Sequence, residues 1–142
     1  IETGSFVSGS FVSLSTDDTD YYVVQEAGDV VQWTVVSEPI TLDTVTSVEV
    51  RLLGRVTAGT PNQKIFVFNP ANGGDGYPAT PSSDTTYAST NTDTLVTFFL
   101  SSADVTYVSS LFPKEVRIRV KGTSTAPNWR LQADQVIFRV KP

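Results

Sequence analysis

The protein has 142 residues, of which 39% are hydrophobic, and a formal net charge of −5 at pH 7; a chain of this length can bury one core, so residues 1–142 are predicted to form a single domain. The acidic balance argues against nucleic acid as a partner, and no run of 18 apolar residues could span a membrane. Cys and His are absent, which excludes disulfides, thiolate zinc sites and cysteine nucleophiles and removes the commonest general base.

The first predicted element is the five-residue repeat "GSFVSGSFVS" near the N-terminus. Side chains of a strand alternate between its two faces with a period of two. Corresponding residues of two successive five-residue repeats therefore point to opposite faces. Phe6 and Val12 then point to one side, and Val7 and Phe11 point to the other. Residues 1–13 are therefore predicted to be a strand-exchange arm whose four apolar side chains make a subunit contact, either within their own fold or in a neighbouring copy.

The rest of the chain is rich in strand-forming residues, with 20 Val and 19 Thr against 8 Ala. The turn-like "AGD" between the first two of these strands predicts a hairpin. With one or two strands from the N-terminal repeat, the total is eight or nine, which is typical of an antiparallel jelly-roll β-sandwich, an all-β fold. The seven further predicted strands cover residues 20–26, 30–36, 47–58, 63–68, 94–100, 115–122 and 134–140.

Two segments interrupt this series of strands. Residues 69–93 read as one long loop, with a strand indicated only around 85–88, and loops of this length tend to be functional. In residues 101–110, Ser102 is placed to cap a short helical turn.

An acidic cluster follows the N-terminal repeat. Asp17, Asp18 and Asp20 alternate in a way that can supply oxygen ligands to Ca²⁺, with Asp134 completing the shell. A polar turn closed by Asx hydrogen bonds explains the same residues without a metal. The sequence therefore requires no cofactor and leaves a structural Ca²⁺ open.

Basic residues alternate with apolar ones along the last two predicted strands. If those strands are neighbours, their outer face is basic and could contact an acidic surface on another subunit or an anionic polymer. The alternative is a solvated face with cross-strand pairs to Glu49 and Glu115. The residues are Arg117, Arg119 and Lys121 on one strand and Arg139 and Lys141 on the other, with Arg51 and Lys64 outward on earlier strands.

Loop aromatics form a third candidate site. Tyr77, Tyr87 and Trp129 lie in predicted loops, where such rings stack on sugars, with Asp75 or Asp84 as hydrogen-bonding partners. The alternative is that each ring covers an edge of the core. Trp33 lies within a strongly apolar strand and is predicted to be core.

Several stretches, among them "VTSVEVRLLGRVT" and "LQADQVIFRV", are similar to β-sandwich modules of secreted prokaryotic surface proteins. The closing "ADQVIFRV" resembles the last strand of galactose-binding-like jelly rolls. That resemblance implies a jelly-roll fold, and it implies that Asp134 helps a loop placed like Asp17–Asp20 to hold a structural Ca²⁺.

No catalytic constellation is visible. A Ser or Thr nucleophile would lack a His partner, no carboxylate pair is singled out by its spacing, and "NGGDG" (72–76) has no following helix to form a phosphate site. The absence of Met, even at position 1, fits a removed signal peptide and an extracellular protein. We therefore predict a non-catalytic, self-assembling subunit of a surface filament, sheath or particle shell, whose partners are copies of itself. The alternative is a carbohydrate-binding module with a polysaccharide partner.

Overall fold

The computed structural model describes residues 1–9, 21–100, 105, 107, 108, 111 and 113–142. Within these residues the chain forms nine strands and one 3₁₀ turn at Pro70–Asn72. The strands are β1 (Ser5–Ser8), β2 (Tyr22–Gln25), β3 (Val30–Val36), β4 (Ser47–Val56), β5 (Asn62–Val67), β6 (Ser83–Thr86), β7 (Thr94–Leu100), β8 (Arg117–Thr123) and β9 (Arg130–Lys141).

The strands build two antiparallel sheets that face each other. One sheet has five strands in the order β1-β2-β9-β4-β7, and the other has four in the order β3-β8-β5-β6. Inward-facing side chains from both sheets fill the space between them; Val48, Val50 and Leu52 of β4 are fully buried and alternate with outward residues. The predicted all-β jelly-roll sandwich is therefore confirmed.

The predicted hairpin between the second and third strands is wrong. Ala27 and Val30 do form a bridge across the "AGD" turn, but β2 pairs with β9 while β3 pairs with β8 in the opposite sheet. The turn is a corner at which the chain changes sheets. Both strands bury one apolar side, as Val24 and Val31 show, so the local pattern is the same for a hairpin and for a corner.

The segment 69–93 contains more order than a single loop. β6 (Ser83–Thr86) pairs with β5 through four residue pairs and forms the edge of the four-stranded sheet. The strand suggested around 85–88 thus exists, shifted by two residues. In the region of the predicted helical turn, Tyr107 and Val108 are helical, and Ser102 lies outside the described residues. None of the helical residues described belongs to a helix long and apolar enough to cross a membrane.

The N-terminal arm touches both sheets of its own chain. Thr3 exchanges backbone hydrogen bonds with Gln32 of β3, whereas β1 pairs with β2 of the five-stranded sheet. Gly4 makes the crossing with a φ of +105°, and a Cβ there would lie 2.5 Å from the Gln25 carbonyl oxygen, so a side chain is excluded. Phe11 and Val12 lie outside the described residues, and their subunit contact stays a prediction.

Candidate functional site

Two of the three aromatics predicted to bind sugar are core residues. Tyr87 and Trp129 are both fully buried, at 0% exposure, so neither offers a ring face to a ligand. Trp129 packs over Gly122 of β8, where a Cβ would come within 2.6 Å of the indole Cη2 atom. The Tyr87 hydroxyl donates to the buried Gln63 Oε1 at 3.0 Å, and burial raises the pKa of this phenol. Both rings therefore cover the core, as does Trp33, which is 2% exposed as predicted.

Tyr77 is the one member of that set at the surface. Its ring lies over the guanidinium of Arg119, with 3.9 Å between the Arg119 Cζ atom and the ring centroid. Its edge meets Phe68 at a centroid distance of 5.6 Å. These contacts fix the ring above the outer face of the four-stranded sheet.

Arg119 is in turn clamped by two carboxylates from distant parts of the chain. Its Nε and Nη2 donate to Glu2 at 2.8 and 3.1 Å, and its Nη1 donates to Asp75 at 2.6 Å. Glu2 also accepts from the Gln32 side-chain amide at 2.6 Å and from the Thr34 hydroxyl at 3.0 Å. The clamp thus ties the N-terminal arm, the loop that carries Asp75 and β8 together.

The clamp sets the titration of its members. Burial alone would raise the pKa of Glu2, but the hydrogen bonds from Arg119, Thr34 and Gln32 outweigh it, so the pKa of Glu2 lies below its usual value of 4.5. The hydrogen bond from Arg119 also lowers the pKa of Asp75. For Arg119, hydrogen bonds to both carboxylates outweigh the effect of burial and raise its pKa.

This arrangement predicts acid-sensitive docking of the arm. A lowered carboxylate pKa adds stability above the unfolded value of about 4.5, and this contribution is lost as the pH falls through the lower folded value. Glu2→Gln is expected to cost about 1 kcal/mol at pH 7, discounted because the pair is partly exposed, and nearly nothing at pH 3. Urea unfolding at both pH values measures the difference, at one protein concentration low enough to keep the chain monomeric. The control is Glu38→Gln, an exposed change away from the clamp; an equal cost of Glu2→Gln at both pH values would contradict the assignment.

The basic strands lie on opposite faces of the sandwich, so a single basic face does not exist. β8 belongs to the four-stranded sheet and β9 to the five-stranded one. Arg139 forms the cross-strand pair with Glu49 that the alternative interpretation expected. Arg51 and Arg117 instead pair with carboxylates two residues away along the chain, Glu49 and Glu115.

A cavity of about 250 Å³ opens beside Tyr77 on the outer face of the four-stranded sheet. Its wall combines three kinds of group: apolar rings, a neutral amide and cationic side chains. The lining residues are Gln32, Phe66, Tyr77, Pro78, Ala79, Arg119 and Lys121. An apolar wall with a few polar groups that converge on it is the usual build of a small-ligand site.

A larger cavity, of about 400 Å³, lies at the flank between β3 and β9. It is lined mainly by aliphatic and aromatic side chains, among them Val136, Phe138 and Val140, and Glu38 is its one ionisable residue. With so few polar groups to orient a ligand, this cavity is the poorer candidate for a polar molecule.

The predicted metal site falls largely outside the described residues. Asp17, Asp18 and Asp20 are not among them, and Asp134 is fully buried in β9. Across the described part of the chain, no group of three His, Cys, Asp or Glu residues could hold a metal ion. The Ca²⁺ site stays a prediction.

Exposed apolar side chains collect at the two edges of the five-stranded sheet. The strand 94–100 was predicted without its outward Leu95 and Phe99, although the sequence "TLVTFFL" is apolar on both faces and indicates them. In the described residues, every exposed large hydrophobic side chain lies in the arm or on β7: Ile1 (49%), Phe6 (54%), Val7 (38%), Leu95 (50%) and Phe99 (69%). Since β1 and β7 are the outermost strands of that sheet among the described residues, both edges carry apolar surface.

Comparison with known proteins supports the fold. No protein-family model matches the sequence, and no curated protein matches it. The solved structure described as "CBM4 structure and function" aligns with 89% of this chain and 87% of its own, at 19% identity and a TM-score of 0.55. A structure of infectious bursal disease virus Gt strain aligns with 88% of this chain and 31% of its own, at 17% identity and a TM-score of 0.41.

Proposed function

We propose that the protein is a non-catalytic, extracellular structural subunit that assembles with copies of itself through the two edges of its five-stranded sheet. The observation that carries this proposal is the position of the exposed large hydrophobic side chains, which among the described residues lie only in the arm and on β7. Monomeric proteins usually blunt such edges with charges or cover them, because an open apolar edge is a template for strand pairing.

The positions of the two edges favour an open chain of subunits over a closed oligomer. β1 and β7 are different surfaces at opposite ends of one sheet, so a contact between the β1 edge of one copy and the β7 edge of the next leaves a free edge at each end. A head-to-tail contact of this kind propagates unless its rotation closes a ring.

The energy of such a contact comes from apolar burial and from the new strand ladder. Fully burying a side chain such as Phe99 or Phe6 contributes about 1.5–3 kcal/mol before the entropic cost of association. Addition at the edge leaves the hydrogen bonds of Thr3 and the clamp on Glu2 in place. Exchange of the arm would first have to detach both and then re-form them on a neighbouring copy, so we favour edge addition over strand exchange.

The molar mass of the native chain tests this proposal. Light scattering over a range of concentrations is expected to give masses that rise far above 15.4 kDa, and negative-stain images should show extended particles. A mass of 15.4 kDa at every concentration would contradict self-assembly.

A second function is favoured by the cavity beside Tyr77. There a half-buried aromatic ring, a neutral amide and a cationic side chain converge, which is a set of groups suited to carbohydrate. The similarity to the CBM4 structure supports a shared fold for this proposal. Retention of the chain on polysaccharide gels tests it, and migration that no polysaccharide slows would contradict it.

A further inference from the structure

The cavity beside Tyr77 contains a cation, Lys121, that has no ion-pair partner among the described residues. On the outer face of the four-stranded sheet, Lys121 of β8 lies opposite Lys64 of β5 and opposite Gln32 of β3. Like charges placed directly opposite each other destabilise a sheet. Asp84 forms an ion pair with Lys64, with 3.9 Å between the two charged groups. In contrast, no carboxylate of the described residues forms an ion pair with Lys121.

The neighbouring cation, Arg119, already has carboxylate partners. Three nitrogen atoms of Arg119 donate to Glu2 and Asp75, and its guanidinium face supports the Tyr77 ring. Arg119 therefore acts as a positioning residue for that ring, and Lys121 is the charged donor that a ligand can reach.

The other walls define what the ligand must present. Phe66, Tyr77 and Pro78 form an apolar side on which the C–H face of a sugar ring can stack. The Gln32 amide donates its Nε2 to Glu2, and its side-chain oxygen has no hydrogen-bond donor among the described residues, so it can accept from a hydroxyl. The volume of about 250 Å³ is below the roughly 300–1,000 Å³ typical of sites for drug-sized molecules, which suits a single ring.

We propose that this cavity binds one uronic acid residue of an acidic polysaccharide, with its carboxylate at Lys121 and its ring against Tyr77 and Pro78. The inference rests on the second proposed function, carbohydrate binding, and adds the chemical class of the sugar. It involves the outer face of the four-stranded sheet, so it is independent of the edges of the five-stranded sheet.

The test compares oligogalacturonate with its methyl ester, in which each carboxylate is replaced by a neutral ester group, by isothermal titration calorimetry. We expect the native chain to bind the acid at least tenfold more tightly than the ester, and added NaCl to weaken that binding. Lys121→Gln is expected to weaken binding of the acid by at least tenfold. The matched control, Lys141→Gln, removes the same charge from the five-stranded sheet and should change the affinity by less than twofold.

The outcomes separate the two proposals. If the native chain binds acid and ester equally, carbohydrate binding stands and the uronate assignment is overturned. If Lys121→Gln binds the acid as tightly as the native chain does, while its melting temperature is unchanged, the site is overturned. If neither oligosaccharide binds and no other polysaccharide retains the chain, both proposals fail.

Discussion

Replacing Trp129 by Ala is expected to lower the free energy of unfolding by about 3–5 kcal/mol, the usual cost of truncating a large buried aromatic side chain. Trp129 is fully buried and packs on Gly122, so truncation opens a cavity under β8. Gly122 has no side chain that could fill this space. In a chain of this size such a loss corresponds to a melting temperature lower by roughly 10–20 °C.

The measurement needs a monomeric background, because assembly makes apparent stability depend on concentration. Chemical unfolding is therefore followed in a chain that also carries Phe99→Lys. Leu95→Ala, a truncation at a half-exposed position, is the control and is expected to cost under about 0.5 kcal/mol. If Trp129→Ala lowered the free energy of unfolding by less than about 1 kcal/mol, this ring would not be part of the core. It would then again be a candidate for ligand binding.

Blocking either edge of the five-stranded sheet is expected to stop assembly. Phe6→Lys places a charge at the β1 edge and Phe99→Lys places one at the β7 edge, and a lysine on an edge strand is a natural device against strand pairing. Each variant alone should remain at 15.4 kDa at concentrations where the native chain grows. Light scattering follows the mass.

The control for these variants is a lysine added elsewhere. Thr125→Lys changes an exposed residue between β8 and β9 and adds the same charge, so it should assemble like the native chain. If all three variants lost assembly together, the effect would be due to net charge and not to the edges.

The local elements were largely predictable, because alternation of apolar and polar residues is a property of each strand by itself. Residues 30–36 and 94–100 were predicted as strands with the observed bounds. Which sheet a strand joins depends on distant partners. For that reason the sequence did not show that β2 and β3, on either side of the "AGD" turn, belong to different sheets. It also did not show that β8 and β9 lie on opposite faces of the sandwich.

The candidate sites were harder to predict, for two physical reasons. Trp129 stands in a turn between polar residues, and its burial depends on Gly122, seven positions earlier and in another strand. Phe99 alternates like any outward residue, and only the strand order shows that β7 is an edge. The sequence did not indicate a role for Glu2, because its partner Arg119 is 117 positions away.

Mixing the two edge variants tests most directly the claim that unlike edges join. Phe6→Lys keeps its β7 edge and Phe99→Lys keeps its β1 edge, so an equimolar mixture can form one contact and then has both remaining edges blocked. The expected product is a dimer of about 30.8 kDa, twice 15.4 kDa, that contains one copy of each variant. A mixture that stays at 15.4 kDa, or that polymerises like the native chain, would contradict it.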